Sequence, residues 1–75
     1  MSFPAIAGFA RAIFGRNVRR CRQQKNLTQE ELAFEAKIDL TYLGGIERGK
    51  RNPGLLVIVR IANALSVSIG KLVGD

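Results

Sequence analysis

Seventy-five residues make one domain, near the lower limit at which a chain folds without disulfide or metal staples, and a hydrophobic share of 47% argues for a packed core over disorder. Twelve Lys and Arg against six Asp and Glu leave a formal net charge of +6, a balance that favours nucleic acid or an anionic membrane surface as partner. The lack of histidine and the single cysteine, Cys21, exclude an internal disulfide, the usual general base and both familiar hydrolytic triads, and leave too few ligands for a metal site.

A lone thiol also suits a reducing cytoplasm. No stretch approaches the roughly 20 apolar residues needed to span a bilayer. The apolar run Ser2–Phe14 is broken by Arg11 and preceded by no charged region, so neither a signal peptide nor an anchor is expected.

Five helices can be placed by their punctuation, with no strand-like alternation between them. The first is expected over about Phe9 to Gln24, where Phe14, Val18, Cys21 and Lys25 recur at helical spacing and Asn26 is a stop. Residues 1–8 are expected either to be flexible or to extend an interface, and Phe3, Ile6 and Phe9 to add to that interface or to the core. Thr28-Gln29-Glu30-Glu31 is a capping box that opens the second helix, with Leu27 as hydrophobic staple against Leu32, and with Leu32, Ala33 and Ala36 on the buried side. Asp39 is a strong N-cap for a third helix running to about Glu47. Only Lys37, Ile38 and Asp39 separate the second helix from the third, and so tight a joint forces a steep crossing, the geometry of a helix-turn-helix.

Gly49 ends the third helix, and Lys50-Arg51-Asn52-Pro53-Gly54 reads as a loop. The fourth helix is expected over about Leu55 to Leu65. Leu55, Ile58, Ile61, Ala62 and Leu65 form its apolar face, while Leu56 and Val57 lie off that face. A short fifth helix, Ile69 to Val73, follows with Ser68 as its cap.

The third helix carries the functional expectation. Leu43 and Ile46 share one side, with Glu47 at its margin, and Leu40, Thr41, Gly44, Gly45 and Arg48 share the other. Two adjacent glycines inside a helix cost about 1 kcal/mol each relative to Ala. Either the small residues let the helix settle into a DNA major groove, or they permit close packing against another protein surface.

Leu27-Thr-Gln-Glu-Glu-Leu-Ala33 followed by Ile38-Asp-Leu-Thr-Tyr-Leu-Gly-Gly-Ile-Glu-Arg-Gly-Lys-Arg-Asn-Pro53 resembles the XRE-type, phage-repressor and Cro-like helix-turn-helix family. Ile61-Ala62 and Ala64-Leu65-Ser66-Val67 resemble its fourth helix and the turn beyond. The resemblance spans about Phe14 to Val73, and Asp39 to Arg48 resembles in particular the controller proteins of restriction-modification systems. It implies an all-α, compact five-helix bundle of the lambda-repressor-like DNA-binding type over residues 1–75, with helices two and three forming the helix-turn-helix.

The same resemblance implies site roles. Leu40, Thr41, Gly44 and Gly45 would face base edges. Gln29, Tyr42, Arg48, Lys50 and Arg51 would hold phosphates, in accord with the affinity of helix N-termini and basic loops for the DNA backbone. Arg22 and Glu47 would form a structural ion pair between the first and third helices. Leu40 stands where the family often has Arg, so it cannot make the bidentate guanine contact and could instead pack on a thymine methyl. Gly44 stands where the family often places Ser or Gln, and these two departures together suggest either weaker selectivity or more reliance on DNA shape.

Off-face apolar residues suggest a two-fold dimer through the fourth and fifth helices, with Leu56, Val57, Ile69 and Leu72 contributing. A core this small supplies only about 3–5 kcal/mol, and association would add to it. The function expected is therefore that of a cytoplasmic, sequence-specific regulator of transcription that binds double-stranded DNA as a homodimer on a palindromic operator. No cofactor, metal, membrane or small-molecule effector is implied. The competing reading is an antitoxin-like or adaptor module that binds a partner protein as well as DNA. An enzyme is disfavoured, because Gly44-Gly45 lies inside a helix and is no phosphate cradle.

Overall fold

The computed structural model describes residues 3–74 as five helices: α1 Phe3–Gln24, α2 Gln29–Ala36, α3 Leu40–Glu47, α4 Leu55–Leu65 and α5 Ile69–Val73. The boundaries of α2 to α5 follow local chemistry. Thr28 Oγ1 accepts from the Glu31 amide at 3.0 Å while Glu31 Oε1 accepts from the Thr28 amide at 2.8 Å, completing the capping box. Asp39 and Ser68 cap α3 and α5 by accepting from the amides of Tyr42 and Lys71. The chain leaves α1, α2 and α4 through left-handed residues Asn26, Lys37 and Ser66, and passes α3 through Gly49 at φ 74°. Only the last of these four is a glycine, which adopts the conformation without steric cost.

The first helix begins six residues earlier than expected, at Phe3 instead of Phe9. Pro4 falls in the first turn, where its fixed φ suits a helix and its missing N–H leaves no acceptor unsatisfied. Ala5, Ala7 and Ala10 then carry the helix forward. Residues 3–8 are thus the start of a continuous α1. The side chain of Phe3 lies outside the described residues.

The core gathers Phe14, Val18 and Cys21 from α1, Leu32, Ala33 and Ala36 from α2, Leu43 and Ile46 from α3, Ile61, Ala62 and Leu65 from α4, and Leu72 from α5. Lys25, at the end of the helical series in α1, is exposed. Two assignments on α4 and α5 change places. Leu55, expected on the apolar face, is 72% exposed, because it opens α4 at the edge of the bundle. Leu72, expected at a subunit interface, is fully buried and therefore belongs to the core.

Two features of α1 fix its seat. Asn17, fully buried, donates from Nδ2 to the carbonyls of Leu72 at 2.9 Å and Gly74 at 2.6 Å, and accepts from Arg20 at 2.8 Å. It ties the C-terminal turn to α1 and satisfies carbonyls that a helix end leaves open. Gly15 lies directly on the end of α3: a Cβ there would run into the carbonyl oxygen of Ile46 and lie 2.9 Å from that of Glu47. Backbone cannot yield as a side-chain tip can. Gly15→Ala is therefore expected to destabilise the fold by about 3 kcal/mol, the upper range for overpacking, measured as a lowered midpoint in urea. A midpoint within error of the wild type would show that α1 and α3 can separate at no cost.

Candidate nucleic-acid interface

The α2–α3 joint is braced from beneath. Arg22, in the last turn of α1, donates from Nε to Glu47 Oε2 at 2.8 Å and from Nη2 to Oε1 at 3.0 Å, a bidentate ion pair. Its third donor, Nη1, reaches the Leu27 carbonyl at 2.9 Å. The two side chains are 12% and 2% exposed. Gln29, the first residue of α2, donates from Nε2 to Glu47 Oε1 at 3.0 Å. One carboxylate at the end of α3 is thus held by α1 and α2 together. Gln29, expected to serve phosphate, thus commits one of its amide N–H groups to that brace.

Above the brace lies an exposed basic surface. Thr41, Arg48, Lys50 and Arg51 are exposed, Leu40 is 43% exposed, and Tyr42 is half-buried against the core. Arg48, Lys50 and Arg51 place three cations within four residues. The nearest carboxylate along the chain, Glu47, is turned inward and paired. The surface beside α3 therefore keeps its positive charge, as a phosphate-facing surface requires.

Gly44 and Gly45 are placed differently from expectation. Both are buried, not bare on the outward face. A Cβ on Gly44 would meet Arg48 Nη1 at 3.2 Å, and the three atoms nearest a Cβ on Gly45 all belong to Arg51, beginning with Cγ at 2.7 Å. The arginines fold back over the glycines. Direct base reading by Gly44 and Gly45 is accordingly withdrawn, since the side chains of Arg48 and Arg51 occupy the space over them. Arg51 continues toward Tyr42, with Cζ 6.0 Å from the ring centroid, at the outer edge of cation–π range.

Sequence reasoning brought Leu40, Thr41, Arg48, Lys50 and Arg51 to the neighbourhood of one helix but missed this folding back. Half of it carried a signal, since Arg48 follows Gly44 at the four-residue spacing of helical neighbours, whereas Arg51 lies in the loop beyond α3, where spacing gives none. It also missed Gly15 and Asn17, which offer no periodic signature. Among the described residues no three His, Cys, Asp or Glu come together as a metal would need, and no helix is long and apolar enough to cross a membrane.

A capped helix pair, joined by only three residues and carrying a cationic outer surface, defines a helix-turn-helix of the DNA-binding class. The sequence model of that family, described as helix-turn-helix, matches residues 18–72. The chain belongs to the XRE-type helix-turn-helix family of DNA-binding transcriptional regulators, which are not enzymes. It is 48% identical over 58 residues to the control protein C.BamHI of Bacillus amyloliquefaciens, covering 76% of this chain and 72% of that one. It is 41% identical over 63 residues to the HTH-type transcriptional regulator y4dJ of Sinorhizobium fredii, covering 84% and 82%. Its fold superposes on the crystal structure of the restriction-modification controller protein C.AhdI from Aeromonas hydrophila with a TM-score of 0.81 and 42% identity, covering 83% of this chain and 94% of that one.

The brace makes a direct prediction. Removing one partner of a buried ion pair strands the other, at a cost of about 3–5 kcal/mol. Arg22→Ala should therefore lower the thermal midpoint by well over 10 °C, given the roughly 4–8 °C per kcal/mol of a domain this size. Glu47→Gln, which keeps the shape and removes the stranded charge, should recover part of that loss in the double variant. Full stability of Arg22→Ala in calorimetry would remove the pair from the structural framework.

Proposed function

We propose that this protein regulates transcription by binding a palindromic operator in double-stranded DNA as a homodimer, with control by its own concentration in the cytoplasm and no small-molecule effector. The observation that carries the reading is the basic surface on and beside α3, held rigid from below by the Arg22–Glu47–Gln29 brace. In this reading Thr41 and Leu40 meet base edges in the major groove, Thr41 by hydrogen bonding and Leu40 against a thymine methyl. Arg48, Lys50 and Arg51, with Tyr42 and the free N–H of Gln29, hold the flanking phosphates. The likeness to proteins named as restriction-modification controllers supports a place in that branch.

The dimer rests on apolar surface that the monomer leaves open. Leu55 is 72% exposed, Leu56 62% and Ile69 39%, and Val57 is half-buried. On α1, Ile6 and Phe9 are half or more exposed and line, with Ile13, Pro53, Ile58 and Val73, an open apolar groove of about 370 Å³. Clustered exposed apolar side chains on small proteins mark association surfaces. We assign Leu56, Val57 and Ile69 to the contact between copies, with the first turns of α1 extending it and Leu72 removed to the core. A two-fold relation would set the reading helices about 34 Å apart, one turn of duplex.

Selection of bound duplexes from a random pool tests the function. The expected product is an inverted repeat whose half-sites are centred about 10 base pairs apart or a multiple of that, and Thr41→Ala should relax preference within each half-site. Recovery of no preferred sequence at physiological salt would defeat the reading. Sedimentation tests the dimer. The wild type should sediment as a dimer at tens of micromolar and Leu56→Glu as a folded monomer with weakened operator binding. A wild-type monomer both with and without DNA would eliminate the two-fold arrangement, and a co-purifying partner protein in its place would favour an antitoxin-like or adaptor role.

A further inference from the structure

Two glycines side by side in α3 are explained by what occupies the space they leave. Where a glycine serves helix packing, the missing Cβ is replaced by backbone of another element. Gly15 is such a case, with the carbonyls of Ile46 and Glu47 against it. Gly45 is buried for another reason. The three atoms nearest its absent Cβ are Cγ, Nε and Cδ of Arg51, at 2.7, 3.4 and 3.6 Å. A distance of 2.7 Å to Cγ, near the root of the side chain, cannot be relieved by moving only the guanidinium. An alanine at position 45 would displace the whole side chain of Arg51.

Arg51 stands in a loop, six residues beyond Gly45, with no helix of its own to hold its rotamer. Its stem lies along the trough over Gly45 and its guanidinium carbon lies 6.0 Å from the centre of the Tyr42 ring. The Lys50 amide donates to the Gly45 carbonyl at 2.8 Å, which pins the loop backbone to the same point of α3. Backbone bond, trough and ring together favour one placement of a long, rotamer-rich side chain before any ligand arrives. A charge positioned in advance loses less side-chain freedom on binding.

We propose that Gly45 is a positioning residue. Its lack of a Cβ holds Arg51 across the recognition helix against Tyr42, and its contribution to DNA binding passes through Arg51. This rests on the reading of the α3 surface as the DNA-contact face and adds to it a residue that touches no DNA.

The test is a double-variant cycle of Gly45→Ala and Arg51→Ala, with operator affinity, its salt dependence and the melting temperature read for each. Arg51→Ala should weaken operator binding about tenfold, which corresponds to about 1.4 kcal/mol, and should reduce the slope of log K against log salt by about one unit. Gly45→Ala should lose affinity by a similar factor with a similar fall in slope, yet melt at or above the wild-type temperature, because alanine favours the helix. The double variant should bind no more weakly than Arg51→Ala alone.

A melting temperature well below wild type would show that Gly45 serves the fold instead, and overturn the proposal. Losses that multiply in the double variant would overturn it too, by showing that Gly45 acts apart from Arg51. So would wild-type binding by either single variant. Failure of the wild type to prefer any duplex would defeat the reading of the α3 surface itself, an outcome separate from all of these.

Discussion

The seat of α1 on the C-terminal end of α3 governs the rest of the molecule. Gly15 brings the two backbones into contact, and one and two turns further along α1, Val18 and Arg22 continue the same face. Val18 enters the core, whereas Arg22 meets the Glu47 carboxylate with two of its donors and the Leu27 carbonyl with another. Gly49 completes the seat from the other side: a Cβ there would lie 3.2 Å from the Cα of Ala12, and its φ of 74° would strain any other residue. Close approach, a buried charge pair and a left-handed turn thus fall within one contact. Loosening any of them would free the end of α3 and the basic loop that follows it.

Electrostatics follow from that contact. A carboxylate at the C-terminal end of a helix is unfavourable with respect to the helix dipole, and burying it adds a desolvation cost. Arg22 and Gln29 supply three donors to Glu47 and offset both. Burial also removes a negative charge from the neighbourhood of Arg48, Lys50 and Arg51. The same carboxylate that ties three helices together is therefore kept from offsetting the positive charge of the loop. A surface glutamate at that point would have served neither end.

Much of this arrangement was legible in the residues, because caps and turns are local. Thr28, Asp39 and Ser68 announced three helix starts through side chains that bond amides three positions on, and the short Lys37–Asp39 joint set α2 and α3 side by side. The pairing of Arg22 with Glu47 came only through family likeness, since 25 residues of chain separate them. What stayed hidden depended on tertiary neighbours. Leu55 and Leu72 have the same chemistry and both sit on apolar helices, yet one is 72% exposed and the other fully buried. Periodicity cannot tell a helix face that meets the core from one that leaves it at a bundle edge. Asn17 reads as an ordinary polar residue until α5 is folded beside it, when its amide becomes the anchor for two carbonyls 55 and 57 residues away.

The glycines of α3 show why a surface pattern can mislead in an instructive way. A helix with small residues outward reads as a slim rod awaiting a groove, and that inference treats each residue as if only its own side chain covered it. Arg48 and Arg51 lie downstream and return over Gly44 and Gly45, so the outward chemistry of the helix belongs to Arg48, which shares their side of the wheel, and to Arg51, which the wheel omits because it stands in the loop beyond. Two positions without hydrogen-bonding side chains thereby lie beneath side chains rich in donors. Leu40 and Thr41 keep the N-terminal half of the helix sparse, with one hydroxyl between them, while the C-terminal half is covered by cationic groups. In the proposed reading of this surface, such a division would put sequence discrimination at one end of the helix and affinity for the backbone at the other, with the glycines leaving room for both on two turns.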